Sequence, residues 1–454
     1  MMGTFKRRAG ALVIAALLAT GPAQAETLSD AMASAYRTSG LIDQNRAVLR
    51  AADEDVAQAM AALRPVINYA LGANYANPSM SDEWSITASL SASLLLHDFG
   101  RSQLSIDAAK ETVLATRASL LDIENTVLLN AVTAYLDVRR AKAFVELREN
   151  NVRLLVQQLR ATRDRFEVGE VTRTDVSLAE ARLAAARSGL AAEQGGLARA
   201  EEQYKATVGR YPGTLAAPPR TPAVPGTEKA ARAKAHRYNP QLKAVQHQVK
   251  AAELAVLRAV QGVYPSLNAT GRFSIDDDGD DSTSLGIELS GPIYQGGAIA
   301  SGARKAKAVR DQVRAQLYTT GLLVDQQVGN AYANLAVAIA SIDASERQVA
   351  AAQLALEGVR EELQLGARTT LEVLDQEQEL LDAQTSRVSA AVDRQIAVYQ
   401  ILDAMGLLTA EHLGLNVPIY DPAAYYNAVK DGPTHDVSPQ GKKLDNLFRA
   451  IGRE

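Results

Sequence analysis

Trp84-Ser85-Ile86-Thr87-Ala88-Ser89-Leu90-Ser91-Ala92-Ser93-Leu94 alternates apolar and small polar residues with a period of two. Successive side chains of an extended strand point to opposite faces, so this period marks a strand. Trp84, Ile86, Ala88, Leu90, Ala92 and Leu94 share one face, and the serines and Thr87 share the other. The alternation runs on to Leu96 and meets Gly100. No Gly or Pro then interrupts residues 101–168. If continuous, that stretch extends about 100 Å as a helix, at ~1.5 Å per residue. Ordinary globular helices run only about three or four turns. A strand long enough to cross a bilayer, which takes roughly 9–11 tilted residues, thus leads straight into a coiled-coil-length helix.

The same order appears twice. Pro65 matches Pro265 at an offset of 200; beyond the strands the offset becomes 197 and holds. Gly100 matches Gly297, Ala134-Tyr135 matches Ala331-Tyr332, Gly169 matches Gly366, Thr172 matches Thr369 and Gly209 matches Gly406. A register kept over so long a span is an internal duplication. The three-residue change belongs in a loop between strands. Each half reads as helix (28–64 and 228–264), strand pair, then long helical hairpin. The strands are expected at about 66–77, 84–97, 266–276 and 283–293, the last ending in a bend at Pro292. The hairpin tips fall at Gly169 and Gly366. Asn239-Pro240 is a helix start of the cap-then-proline kind. Residues 211–227, with Pro212, Pro218, Pro219, Pro222 and Pro225, read as a linker between repeats 26–210 and 228–410. Residues 411–454 lose the helical period, and the polar stretch from Asp431 suits a disordered tail.

Lys6, Arg7 and Arg8, an apolar run from Ala9 to Ala19 and Ala23-Gln24-Ala25 form an export leader, with cleavage expected after Ala25. The run is too short to span a bilayer as a helix. Charge is nearly balanced, 48 Lys+Arg against 52 Asp+Glu, which offers nucleic acid no basic face. The chain has no cysteine, so thiolate metal sites, disulfides and lipid attachment are out. Its five histidines are scattered and form no HExxH motif; with no GxSxG or phosphate loop either, the sequence carries no enzyme signature. No cofactor is expected.

One apolar and one wettable face would suit a soluble sandwich. The leader, and the small polar residues opposite the apolar face, favour a membrane β-barrel. Arg272 and Glu288 lie on the wettable face, which in a barrel is the lumen. Four strands cannot close a barrel, for which about eight is a working minimum. The open edges therefore call for other copies of the chain.

The duplicated hairpins, Asn239-Pro240 with Tyr264-Pro265-Ser266-Leu267, and Gly291-Pro292-Ile293-Tyr294-Gln295-Gly296-Gly297 after a strand resemble the TolC family of outer-membrane channels. Gly414-Leu415 and Val417-Pro418-Ile419-Tyr420-Asp421-Pro422 resemble the subgroup serving type I protein secretion. The resemblance implies an α+β homotrimer with a twelve-stranded barrel and a periplasmic α-helical cylinder, the linker and tail wrapping it as a collar. It implies a passive duct docked on a periplasmic adaptor and an inner-membrane ABC or proton-driven transporter. It also implies that the tips form the periplasmic mouth. Glu372 and Asp375, three apart and so on one helical face, would form rings of carboxylates there. Arg368 would hold the mouth closed by pairing with Asp175 on the other hairpin, although Leu363 stands where one familiar member has a locking tyrosine. Val168, Gly169, Leu365 and Gly366 would meet the adaptor. The alternative reading is a periplasmic coiled-coil adaptor or structural protein. Asp276-Asp277-Asp278-Gly279-Asp280-Asp281 lacks the EF-hand spacing and reads as a solvated external loop.

Overall fold

The computed structural model describes residues 25–76 and 83–430. Residues 1–24 of the expected leader and the tail from Asp431 lie outside them. The elements run α1 (Leu28–Thr38), α2 (Gly40–Ala61), β1 (Val66–Ala76), β2 (Glu83–His97), α3 (Arg101–Glu167), α4 (Arg173–Val208), α5 (Glu228–Tyr238), α6 (Pro240–Val260), β3 (Ser266–Asp276), β4 (Asp281–Ser290), α7 (Ala298–Gln364), α8 (Thr370–Ala404) and α9 (Pro422–Val429). A 3-10 turn, Gln261–Val263, precedes β3. Two compact units result, and α3 and α7 contribute residues to both.

The unit of residues 41–123, 234–326 and 419 onward holds the sheet. All four strands pair antiparallel in chain order, β1-β2-β3-β4. The register puts Tyr69 opposite Leu90 and Leu90 opposite Phe273, with Leu71, Ala88 and Ile275 in the next row. Ala269 faces Ile287 and Leu267 faces Leu289. Four separate alternations thus merge into one apolar face. On the other face Asn68, Ser91, Arg272 and Ser284 form a cross-strand row, and Asn268 faces Glu288. A register shift between Leu95 and His97 absorbs the run Leu94-Leu95-Leu96, which breaks the alternation. Asp98 then starts α3: its carboxylate accepts from the Gly100 and Ser102 N–H groups at 3.1 and 2.6 Å.

The last strand starts two residues earlier than the alternation suggests and ends at Ser290, short of Ile293. Pro292 has no N–H to extend the ladder. A side chain on Gly291 would also lie 2.7 Å from the Pro265 backbone, so the strand ends where the two segments pass closest.

Alongside the sheet, Leu49, Ala52, Val56, Val113 and Leu120 form a core between α2 and α3, covered by Tyr420 and Tyr426. The tail is therefore ordered further than its lost periodicity suggests. Asp421 caps α9, and Tyr425 donates to Glu54 at 2.8 Å. His247 pairs with Glu111 at 2.7 Å, tying α6 to α3.

The other unit, residues 25–40, 124–233 and 327–418, is helical. Tyr135, Tyr204, Leu28, Leu128, Ile401, Leu402 and Met405 are among its largest fully buried side chains. The first helical stretch is interrupted at Ser39, whose backbone is extended. The linker is pinned by the repeated tyrosines: Tyr135 donates to the Ala216 carbonyl at 2.7 Å and Tyr332 to the Pro225 carbonyl at 2.6 Å. The duplicated Ala-Tyr pair thus has the same task in both halves. Each hydroxyl satisfies a carbonyl of a proline-rich segment that belongs to no sheet or helix. Glu26 joins this belt by a parallel bridge to Leu215 and by accepting from Tyr204 at 2.7 Å and Arg210 at 2.6 Å.

Candidate functional site: the membrane strands and the hairpin tips

The apolar face of the sheet is bare. Tyr69 is 82% exposed, Leu285 87% and Ile287 72%, with Leu71, Trp84, Ile86, Leu90 and Leu289 also uncovered. So much contiguous apolar surface is a contact face, since soluble monomers bury theirs. Aromatic pairs mark both ends of the strands. Tyr75 and Trp84 lie 5.3 Å apart at the β1–β2 hairpin. Phe99 stacks on Tyr264 at 5.1 Å where the strands meet the helices. Aromatic girdles of this kind sit at the two interfaces of a bilayer. Among the described residues no helix is long and apolar enough to cross a membrane. The two outer strands, β1 and β4, each pair on one side only. Open edges without partners aggregate, which barrel closure prevents.

The hairpin tips are built the same way twice. Gly169 and Gly366 adopt φ of 82° and 75°, a left-handed conformation that costs glycine little. Gly169 and Glu170 donate back to Phe166 and Arg165, and Gly366 and Ala367 to Leu363 and Glu362. This Schellman closure satisfies the last carbonyls of α3 and α7. Next, Thr172 with Asp175 and Thr369 with Glu372 form reciprocal capping boxes that start α4 and α8. Val168 and Leu365 are left 71% and 84% exposed.

Within the chain Arg368 does not reach Asp175. Asp175 accepts from its own Thr172, N–H and hydroxyl both at 2.8 Å. Arg368 donates instead to Glu362 at 2.6 Å and Glu372 at 2.8 Å. The physical reason is proximity: both glutamates lie within six residues of Arg368, and the Asp175 carboxylate is engaged by its own cap.

Glu372 accepts from the Thr369 N–H at 2.8 Å, from Arg368 and from the Thr369 hydroxyl at 2.9 Å. These bonds hold its carboxyl at about 2, below the ordinary 4.5, with the backbone bond as the largest cause. A depressed acid stabilises above its ordinary pKa, and that stability is lost as pH falls through the folded value. Amide protection of the first turn of α8 therefore persists at pH 4.5 and drops as the pH approaches 2. In Glu372→Gln the drop disappears. Hydrogen exchange followed by mass spectrometry reads this, and identical pH profiles for the two proteins would count against it.

Asp375 pairs with Arg182 of α4 rather than standing free. Beside it Leu374, 3% exposed, inserts among Leu155, Leu159, Ala179 and Leu183 of the first hairpin. Arg182 and Leu374 thus form a seam between hairpins that sequence reading missed, because 193 residues separate Arg182 from Asp375. The capping boxes were legible as Thr-x-x-Asp and Thr-x-x-Glu before helical runs. In the Asp-rich loop, Asp276 accepts from the Asp280 N–H at 2.8 Å, closing a tight turn. Among the described residues no group of three metal-ligating side chains comes together.

The sequence model of the family described as outer membrane efflux protein matches twice, at residues 34–210 and 232–407. The chain belongs to the outer membrane efflux protein family. The two matches reproduce the internal repeat. BepC, an outer membrane efflux protein of Brucella suis biovar 1 (strain 1330), is 34% identical over 432 residues, spanning 93% of this chain and 95% of BepC. TolC of Salmonella enteritidis is 26% identical over 459 residues, spanning 94% of this chain and 92% of TolC. PrtF of Dickeya chrysanthemi, a proteases secretion protein, is 24% identical over 414 residues, spanning 83% of this chain and 87% of PrtF. The solved structure of CusC superposes with a TM-score of 0.76 at 19% identity, covering 84% of this chain and 92% of CusC.

This efflux-family chain therefore has the TolC-like fold, in which each protomer of a trimer lends four strands to one barrel. A sheet with one bare apolar face and two singly paired outer strands fits that barrel. The chain is a passive outer-membrane channel with a periplasmic helical domain, not an enzyme.

Proposed function

We propose that this chain is the exit duct of a tripartite export system. An inner-membrane transporter and a periplasmic adaptor hand it cargo, which passes through its pore without further energy input. The observation that carries this reading is the four-stranded sheet with one bare apolar face and two open edges, on a chain that is otherwise long helical hairpins.

The periplasmic mouth lies at the hairpin tips in this reading. Exposed Val168 and Leu365, beside Gly169 and Gly366, offer an adaptor two apolar knobs on tight turns. Glu372 and Asp375 line the constriction and favour cations, as rings of carboxylates do. Arg368 and Arg182 hold those acids in place, while Asp175 supports the α4 cap. Arg272 and Glu288 face the barrel lumen, a placement supported by their sharing the sheet's polar face.

For cargo we favour unfolded proteins of type I secretion, with small toxic compounds as a second class. The Gly414–Pro422 resemblance and the likeness to PrtF support the first, and the likeness to BepC the second. A strain lacking the gene tests this. Cellular retention of a protein carrying a C-terminal secretion signal, reversed by complementation, supports protein export. Normal secretion with increased sensitivity to detergents and dyes assigns the duct to efflux alone.

A further inference from the structure

The repeat carries an ion pair that the mouth described above does not use. Arg163 and Glu180 lie 17 residues apart, and so do Arg360 and Glu377; the second pair is the first moved by 197. Arg163 meets Glu180 across the α3–α4 hairpin at 2.5 Å, and Arg360 meets Glu377 across α7–α8 at 3.0 Å. The surroundings differ. Both partners of the first pair are about half exposed, whereas the Glu377 side chain is 2% exposed. Its Oε2 has no hydrogen-bond partner.

The burial follows from where Glu377 falls on α8. Val373, Leu374, Glu377 and Leu381 are all buried, so the glutamate occupies one place in an otherwise apolar seam with the three- and four-residue spacing of a coiled coil. A groove of about 300 Å³ lies beside it, lined by leucines of α3, α7 and α8 and by the amides of Asn150, Asn151, Gln353 and Gln384, with Glu357 and Arg360 as its other charged groups. In the first hairpin the equivalent seam is filled by Ala179 and Leu183, and Glu180 lies outside it.

An apolar seam repeats, so leucines alone tolerate a slip along the helix. A buried carboxylate is satisfied only where its arginine meets it, and every other register leaves a charge stranded. We propose that Glu377 is a positioning residue: its pair with Arg360 fixes the register of α8 against α7. Five residues before it on α8 is Glu372, and two before it is Asp375. On the mouth reading above, on which the functional consequence rests, this pair sets the height of both gate carboxylates. In the first hairpin the place of Asp375 is taken by Leu178, and the pair there is left solvated.

The test uses the full-length trimer, in which the absence of native cysteine lets spin labels be placed at Glu361→Cys and Gln378→Cys in diluted labelled chains. The parent gives one narrow α7–α8 distance. Glu377→Leu, which keeps the seam apolar and the trimer heat-stable, gives a second population shifted by about one helical turn, ~5.4 Å. Glu377→Gln gives the same split if the leucine variant fails to assemble. Glu180→Leu leaves the distance single. A single distance in both Glu377 variants overturns the register role. Conductance is recorded on the same proteins, with more than one open level expected for Glu377→Leu. A split distance with unchanged conductance leaves the register role standing and overturns the mouth reading instead.

Discussion

Leu90→Arg abolishes assembly of the trimer in the outer membrane, while Ser89→Arg, one residue earlier, is tolerated. Leu90 lies midway along β2, between Tyr69 and Phe273 on the bare apolar face. Ser89 lies between Ala70 and Ser274 on the polar face. An arginine facing lipid at the bilayer midplane costs ~2–4 kcal/mol. Three copies bring that to roughly 6–12 kcal/mol per trimer, comparable to a typical folding stability of ~5–15 kcal/mol. The same residue facing a watery lumen avoids that cost. Heat-modifiable trimer bands from purified outer membranes give the readout. Equal loss in both variants would mean that the sheet's two faces are not lipid and water. Normal trimers in both would mean that the apolar face meets water rather than lipid or packed protein.

The second large effect is expected at the mouth. Arg182→Ser combined with Arg368→Ser raises single-channel conductance in planar bilayers several-fold, whereas Asp175→Ala alone changes it little. Near the tips Arg182 links the two hairpins through Asp375, and Arg368 ties Glu372 to Glu362. Each pair is exposed, so on its own it contributes little. Three protomers carry both pairs, and a gate needs only a shift between two nearly balanced states. Asp175 is the N3 partner of a capping box, so its loss loosens the first turn of α4 and leaves the link in place. Unchanged conductance in the double variant would remove both arginines from the gate. A large increase from Asp175→Ala would restore the originally expected Arg368–Asp175 lock, acting between protomers.

The features legible in the sequence are those written in local periodicity. The strands appear because side chains alternate along any extended chain, and the long helices because residues 101–168 carry nothing that breaks one. The tips appear because Gly169 and Gly366 allow a φ that other residues resist. The Tyr135 and Tyr332 pair was visible as a repeat but not as a function, since their carbonyl partners lie 81 and 107 residues away. The bulge at Leu95 went unread because three consecutive leucines fit either face until a neighbouring strand selects one. The early end of β4 depends on Pro265, a contact that no window around Pro292 contains.

At the mouth the acids were found and their partners were not. Glu372 and Asp375 stand out by spacing, but each arginine nearby has several acids within reach. Local turns settle some choices: the capping boxes claim Asp175 and engage Glu372. Helix packing settles the others. Leu374 docks α8 on the first hairpin and so carries Asp375 to Arg182, and a different rotation of α8 buries Glu377 where Glu180 is solvated. By itself, then, the sequence determined the strands, the hairpins, their duplication and the membrane-facing alternation, because each is a short-range periodicity of side-chain direction. Only the tertiary structure decided which strands share a register and which charges meet. Those outcomes depend on how helices and strands far apart in the chain are rotated against one another, and single-residue periodicities do not encode that.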